Sequence, residues 1–400
     1  MRSVFGGIVV AGLALALVAC GEDSPGSDFG QDAVDAVSPQ VGDCVIHADR
    51  DCSNMDLSGG DLSGGSAHAS NFSGADLSDA DLSNFAADEA NFSGANLSNA
   101  TLDGMDAVGA DFSNATLDGA HGTNVGFNGI TCSDTSFTGV TLEGATFNTA
   151  QCQNAIFSGA TLDGAIFADV DLTGAKFDGA SMVRATLGGA VLSNADLSVA
   201  DLSGAGFQLA KLDGAKLEGA KLPDTNFTGV DLSGLSLTGV DLTGSSLTTA
   251  VLAGSDLSNA VLKNANLSGA TLDDANLAGA DLSNAVLGEA TMQRVILSGT
   301  PLSEVTLFGV DLTDAMLDGV VANNSVFSQS IMTGADLSNA ELSDVIMSGA
   351  DLSGASFNGA TLTGVNLTGA NLSGADFTGA TLTDVILTDA NTDGAIGLQQ

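Results

Sequence analysis

The chain has no tryptophan, no tyrosine and only four prolines, and its bases are few, with 9 Lys and Arg against 49 Asp and Glu. Each shortage excludes something. Nucleic acid is excluded as a partner, because contact with its phosphates draws on clustered Lys and Arg. Fifty-two glycines without proline in a three-residue period exclude collagen, and a 44% hydrophobic share excludes the composition of a disordered chain. Beyond residue 19 no uninterrupted apolar run reaches the length of a membrane span. What is present is a 400-residue chain of formal charge −40, able to build a core and carrying a field of one sign.

The first residues, MRSVFGGIVVAGLALALVAC, set Arg2 before an uncharged apolar stretch from Val4 to Ala19, the form of a secretion signal. Sixteen apolar residues are short for a span. The stretch closes on Leu17-Val18-Ala19-Cys20, which resembles the lipobox of bacterial lipoproteins. That resemblance implies cleavage before Cys20, lipid on its sulfur, and a membrane partner held through that lipid; an ordinary signal peptide ending near a cysteine is the alternative. The polar, aperiodic segment GEDSPGSDFGQDAVDAVSPQ follows and suits a flexible tether. Gly21 stands where an Asp would retain an enterobacterial lipoprotein at the inner membrane, so the expected address is the cell envelope, at the outer membrane or the outer face of the plasma membrane.

After the tether a period of five dominates. A frame starting at Cys52 reaches Leu387 without insertion or deletion, and of its 68 centre positions 42 are Leu and 14 are Phe. Two residues before each centre stands mostly Ala, sometimes Val, and Ser-Gly, Ser-Asn or Asp-Gly follows most centres. A period of five keeps no face on an α-helix and reverses face at every unit of a strand. The chain must therefore turn a corner in each unit, with Gly or Asn supplying positive φ. The centre and the small residue then point inward, and the other three face water.

The tandem unit Ala-Asp-Leu-Ser-Gly resembles the pentapeptide-repeat family over about residues 52 to 390. The resemblance implies an all-β fold, a right-handed quadrilateral parallel β-helix in which four units make one coil. The 68 units then make about 17 coils, and at ~4.8 Å per coil a rod of roughly 80 Å. The expected organisation is a signal peptide at 1–19, the lipidated Cys and tether at 20–43, an N-terminal cap at 44–56, the β-helix at 57–390 and a tail at 391–400. Aromatic placement tests the 20-residue coil. Phe72, Phe92 and Phe112 form one series at that offset, Phe127, Phe147 and Phe167 a second, and Phe137, Phe157 and Phe177 a third. With Phe207/Phe227 and Phe357/Phe377 this makes eight pairs at offset twenty and none at offset five, where random placement leaves about three at twenty. Ala67, Ala87 and Ala107 thin one face, and Phe85 at a small slot is placed to fill it.

Of five cysteines, Cys20 is read as the lipid site. Cys132 and Cys152 are stacked neighbours in such a coil, either bonded or packed as two small apolar thiols. Cys44 and Cys52 flank the start of the repeat, and a disulfide there would tie down the cap; a metal site with His47 is the alternative, at a spacing that fits no zinc pattern. His68 and His121 fall in outward slots, and no histidine stands beside a distinctive nucleophile. No G-x-x-x-x-G-K-[ST] loop occurs, and the acids lie on convex walls without a cleft. The reading is a protein without catalytic residues, cofactor or metal. Lys211, Lys216 and Lys221 form a thin collar that relieves like-charge repulsion.

Three functions remain in view. A lipid-anchored, non-enzymatic envelope rod, acting as a scaffold or as a recognition surface for an as yet unknown protein partner, follows most directly. An acidic DNA mimic is the second, since some pentapeptide-repeat proteins resemble duplex DNA and bind gyrase, but the export signal separates this chain from cytosolic topoisomerase. Ice or glycan binding by a flat wall is the third, prompted by Thr361/Thr363 and Thr381/Thr383. The short end NTDGAIGLQQ carries no capping helix, so a homodimer through the last coil is expected, as in family members that pair through their C-termini.

Overall fold

The computed structural model describes residues 40–41 and 44–398. Two short strands, β1 (Gln40–Val41) and β2 (Cys44–Val45), pair antiparallel ahead of the coil. The chain then winds as a right-handed quadrilateral β-helix. Isolated bridges are all parallel and join each residue to the one twenty further on, from Asp51↔Asn71 to Asp376↔Ile396. In the last coils one wall is regular enough to form a four-stranded parallel sheet of β3 (Val321–Asn323), β4 (Glu341–Ser343), β5 (Thr361–Thr363) and β6 (Thr381–Thr383). Val321, Glu341, Thr361 and Thr381 stand in register across it.

The corner explains the period. Every fifth residue from Asp49 to Gly394 has φ between 51° and 73°. The turn around it is closed by a hydrogen bond such as Gly60 N to Leu57 O at 3.1 Å. Gly, Asn and Asp hold most corners because they tolerate the left-handed region. A corner side chain also leans over the coil above: a Cβ on Gly119 would lie 2.7 Å from Asn99 Oδ1, so a bulky corner favours glycine twenty residues later. Between corners the backbone joins coils in both directions, as Leu57 N donates to Asp76 O at 2.7 Å and Asp76 N to Met55 O at 2.8 Å.

Centres and small slots make one buried column from Cys44 to Phe377. All eight Phe pairs at offset twenty are in contact. Seven are stacked with centroids 4.5–4.9 Å apart, and Phe127/Phe147 is tilted by 43°. Phe127 also receives the edge of Phe112 at 5.4 Å. Phe85 is fully buried with its edge to Phe72. Met105 and Val125 follow it in the same slot of the next two coils, so a large residue in the small slot offsets Ala87 and Ala107 in the large one. At Gly122 the backbone closes on the core: an added Cβ would meet Leu102 C at 2.7 Å and Val125 Cγ2 at 2.9 Å. Where Ser or Thr replaces the small Ala, the hydroxyl is satisfied. Thr135 Oγ1 donates to Phe112 O at 2.6 Å and Ser245 Oγ to Leu222 O at 2.6 Å.

Two boundaries move. The first left-handed corner is Asp49 and the first bridge is at Asp51, inside the stretch expected as a cap at 44–56. At the other end the bridges run on to Asn391 and Ile396, so much of the expected tail at 391–400 is the final side of the coil. The physical reason is that ladder hydrogen bonds need backbone alone and persist where the Leu pattern has ceased. Leu382, Val385, Leu387 and Leu398 are only partly buried there, because no further coil among the described residues covers them.

Inward Leu237 is buried and its neighbour Thr238 is exposed. Leu237→Asp is expected to destabilise the rod by about 4 kcal/mol or more, while Thr238→Ala changes stability by less than about 0.5 kcal/mol. Urea unfolding of both variants checks this, and equal midpoints would refute the inward assignment.

Candidate functional surface

Many outward Asp residues do local work. In Asp-x-Ser and Asp-x-Thr the carboxylate accepts from the amide and hydroxyl two residues on, as Asp56 Oδ1 does from Ser58 N at 3.1 Å and Ser58 Oγ at 2.7 Å. The same bonds recur at Asp76/Ser78, Asp241/Thr243 and Asp281/Ser283. The Ser283 hydroxyl, then its amide, hold the Asp281 carboxyl below its ordinary value of 3.8, against a smaller upward push from partial burial. Asn in the next coil relieves repulsion between stacked acids: Asn96 Nδ2 donates to Asp76 Oδ1 and Asn276 Nδ2 to Asp256 Oδ1, each at 3.0 Å. The outward slots place these acids facing solvent, and the recurrent Asp-Leu-Ser triplet is the signal in the sequence for the turn bond they also make.

Lys216 and Lys221 lie 3.4 Å and 3.3 Å from Asp196 and Asp201, the acids one coil earlier, while Lys211 bridges Val191. Arg294 grips Asp274 with Nε and Nη2, both at 2.7 Å. These exposed pairs temper repulsion and contribute little stability.

Cys44 is bonded to Cys52 with Cα atoms 6.0 Å apart, and Cys132 to Cys152 with Cα atoms 4.4 Å apart. His47 Nε2 accepts from Arg50 Nε, and Nδ1 lies 2.8 Å from Ala48 O. With both sulfurs bonded to each other and the imidazole so engaged, the alternative metal site of Cys44, His47 and Cys52 is removed. His121 Nε2 lies 3.4 Å from Thr101 Oγ1. Among the described residues no group of His, Cys, Asp and Glu is arranged to hold a metal ion. The expected signal peptide at 1–19, Cys20, and residues 21–39 and 42–43 of the expected tether lie outside the described residues.

Sorting outward residues by wall reveals an asymmetry absent from the linear sequence. From residue 126 onward, the wall centred on Phe127, Phe147 and Phe167 has 28 outward slots flanking its centres, at 126, 128 and every twentieth residue after each. None of them is charged. The equivalent slots of the other three walls hold eight, nine and eight charged residues. The charges nearest the uncharged wall are at its two corners, Asp169, Glu289 and Asp389 along one edge and Arg184, Asp224, Glu304, Asp344 and Asp384 along the other. Of eleven exposed large hydrophobic residues among those described, seven belong to this wall or its corner: Val108, Ile166, Leu209, Val286, Phe308, Ile346 and Ile386.

The pentapeptide-repeat model matches the chain repeatedly between residues 51 and 389. The chain belongs to the pentapeptide-repeat family, whose members are in general structural or interaction proteins. Among solved structures it is similar to QnrB1, a plasmid-mediated fluoroquinolone resistance protein, at 20% identity over 45% of this chain and 91% of that one, with a TM-score of 0.32. It is also similar to HetL of Nostoc sp. strain PCC 7120, a pentapeptide repeat protein involved in heterocyst differentiation regulation, at 24% identity over 77% of this chain and 90% of that one (TM-score 0.22). A pentapeptide repeat protein of the Arabidopsis thaliana thylakoid lumen matches at 28% identity over 30% of this chain and 69% of that one (TM-score 0.16). No curated protein sequence matches the chain.

Two outcomes are expected. Because the folded pKa of Asp281 is depressed, its contribution is present above pH 3.8 and is lost as pH falls through the folded value. Ser283→Ala should therefore cost up to about 1 kcal/mol near neutral pH, a gap that narrows below pH 3.8. A gap in urea midpoints that stays constant from neutral to acid pH would refute the carboxylate bond. Separately, alkylation without reductant should leave Cys44, Cys52, Cys132 and Cys152 unlabelled, and peptide mapping should join 44 to 52 and 132 to 152. Labelling of any of the four in the oxidised protein would contradict the pairing.

Proposed function

We propose that this protein is a lipid-anchored, non-enzymatic rod of the cell envelope whose long walls serve as a scaffold or protein-recognition surface. One observation carries the reading: an apolar leader ends on Cys20, a polar tether follows, and the coil then runs without a broken unit from Asp49 to Ile396. A lipid on Cys20 fixes one end of the chain, the tether gives it reach, and the coil holds outward side chains at fixed spacing. Four cysteines joined in pairs suit an oxidising compartment outside the cytoplasm. Convex walls of solvated acids offer recognition through shape and charge and give a reacting substrate no enclosed site.

The last coil, with β6 unpaired on its outer side and Leu382 and Leu387 partly open, is where end-to-end pairing would occur. A duplex mimic requires negative charge around the whole cylinder, and the uncharged wall interrupts it. The DNA-mimic reading is therefore the weaker one, and a glycan- or ice-binding wall lacks a long uniform threonine ladder.

The test is Cys20→Ala in the full chain, followed by fatty-acid labelling and fractionation. Labelling should disappear and the protein should leave the membrane fraction. Unchanged partitioning of the variant would overturn the anchor.

A further inference from the structure

We propose that the uncharged wall is a pairing surface for a second copy of this chain, two rods lying side by side, wall to wall. The inference does not depend on the lipid anchor and concerns a different surface from the last coil.

Charge selects the wall. At a formal −40, contact between two copies through any of the other three walls brings like charges together. Pairing through the wall of Phe127, Phe147 and Phe167 opposes 28 uncharged slots to 28 uncharged slots, leaves the corner acids at the rim and turns those of the other walls outward. The wall also has no base, so it offers nothing to an anionic lipid surface. Its outward ladder in the later coils, Val286, Thr306, Val326, Ile346, Asn366 and Ile386, combines apolar and uncharged polar groups, and charge is likewise depleted at the core of protein interfaces.

Size is sufficient. Thirteen coil intervals at ~4.8 Å, by about four residues of extended chain at ~3.3 Å, give roughly 800 Å² per copy, the area that a standard protein interface takes from each partner.

Leu209 is the second observation. It is 84% exposed, more than any other large hydrophobic residue among those described, and it holds φ +64° at a corner where Gly189 stands one coil before and Gly229 one coil after. Both the exposure and the left-handed backbone are unfavourable for its own fold, and it fills no space there. A two-fold axis along the rod keeps the copies in coil register and reverses the direction across the wall. On the midline of the wall it therefore sets Leu209, at one corner, across from the opposite corner of the other copy at Gly204, which has no side chain of its own.

The experiment is sedimentation velocity on the full chain in density-matched detergent over a range of concentrations. The native chain should reach twice the monomer mass. Leu209→Gly should weaken association tenfold or more while leaving the thermal midpoint of the monomer equal or higher, because glycine suits that corner. Val326→Glu with Ile346→Glu, and Val326→Lys with Ile346→Lys, should each be monomeric alone and form a dimer when mixed. Met316→Glu with Ile331→Glu, on the other walls, should leave association unchanged. A native chain that is monomeric throughout would overturn the proposal, including the case in which the wall variants instead lose binding to an uncharged polysaccharide. So would a dimer that survives the glutamates on the wall, or one lost only when Leu382 and Leu387 in the last coil are replaced by Asp.

Discussion

The left-handed residue at every fifth position is the constraint on which the rest depends. It forces the chain to turn after a stretch too short to be a strand in its own right, and it does so identically along the whole rod. Once the turn is fixed, the residue before it points inward and the residue twenty further on lies directly above. The ladder of backbone hydrogen bonds then forms with almost no dependence on side chains. That is why Cys, Met, Ala and even Gly122 are accepted at centres without an inserted residue.

Identical corners have a cost in volume, which the core meets by exchange between slots. Where one wall carries Ala87 and Ala107, the adjoining small slot carries Phe85 and Met105. Where two coils carry Phe on one wall, the rings stack at the spacing of the coils. Packing is thus solved locally, coil against coil, as expected of a solenoid in which each repeat touches only its neighbours. The surface follows the same rule. Turn bonds from Ser to Asp, and Asn placed above Asp, let a strongly acidic chain stack its carboxylates in columns.

Much of this was legible in the sequence because the period is unbroken. The eight Phe pairs at offset twenty identified the coil, and each pair is in contact in the fold. Phe85 was legible for the same reason, whereas Met105 and Val125 were missed because neither departs from a hydrophobic pattern in the linear frame. The bonds of Cys132 to Cys152 and of Cys44 to Cys52 could not be decided from spacing, since bonded sulfurs and packed thiols occupy the same register. The end of the coil was misplaced because the frame was traced through Leu and Phe, while the hydrogen-bond ladder that defines the coil needs neither.

By itself the sequence determined the corner and the inward residues, since each depends only on the identity of residues within one unit. The tertiary structure decided what twenty-residue neighbours do to one another: which sulfurs meet, which asparagine covers which aspartate, and which outward side chains share a wall. The uncharged wall belongs to that second group. Its members are scattered through 260 residues and become a surface only when the coil brings every twentieth residue to the same side.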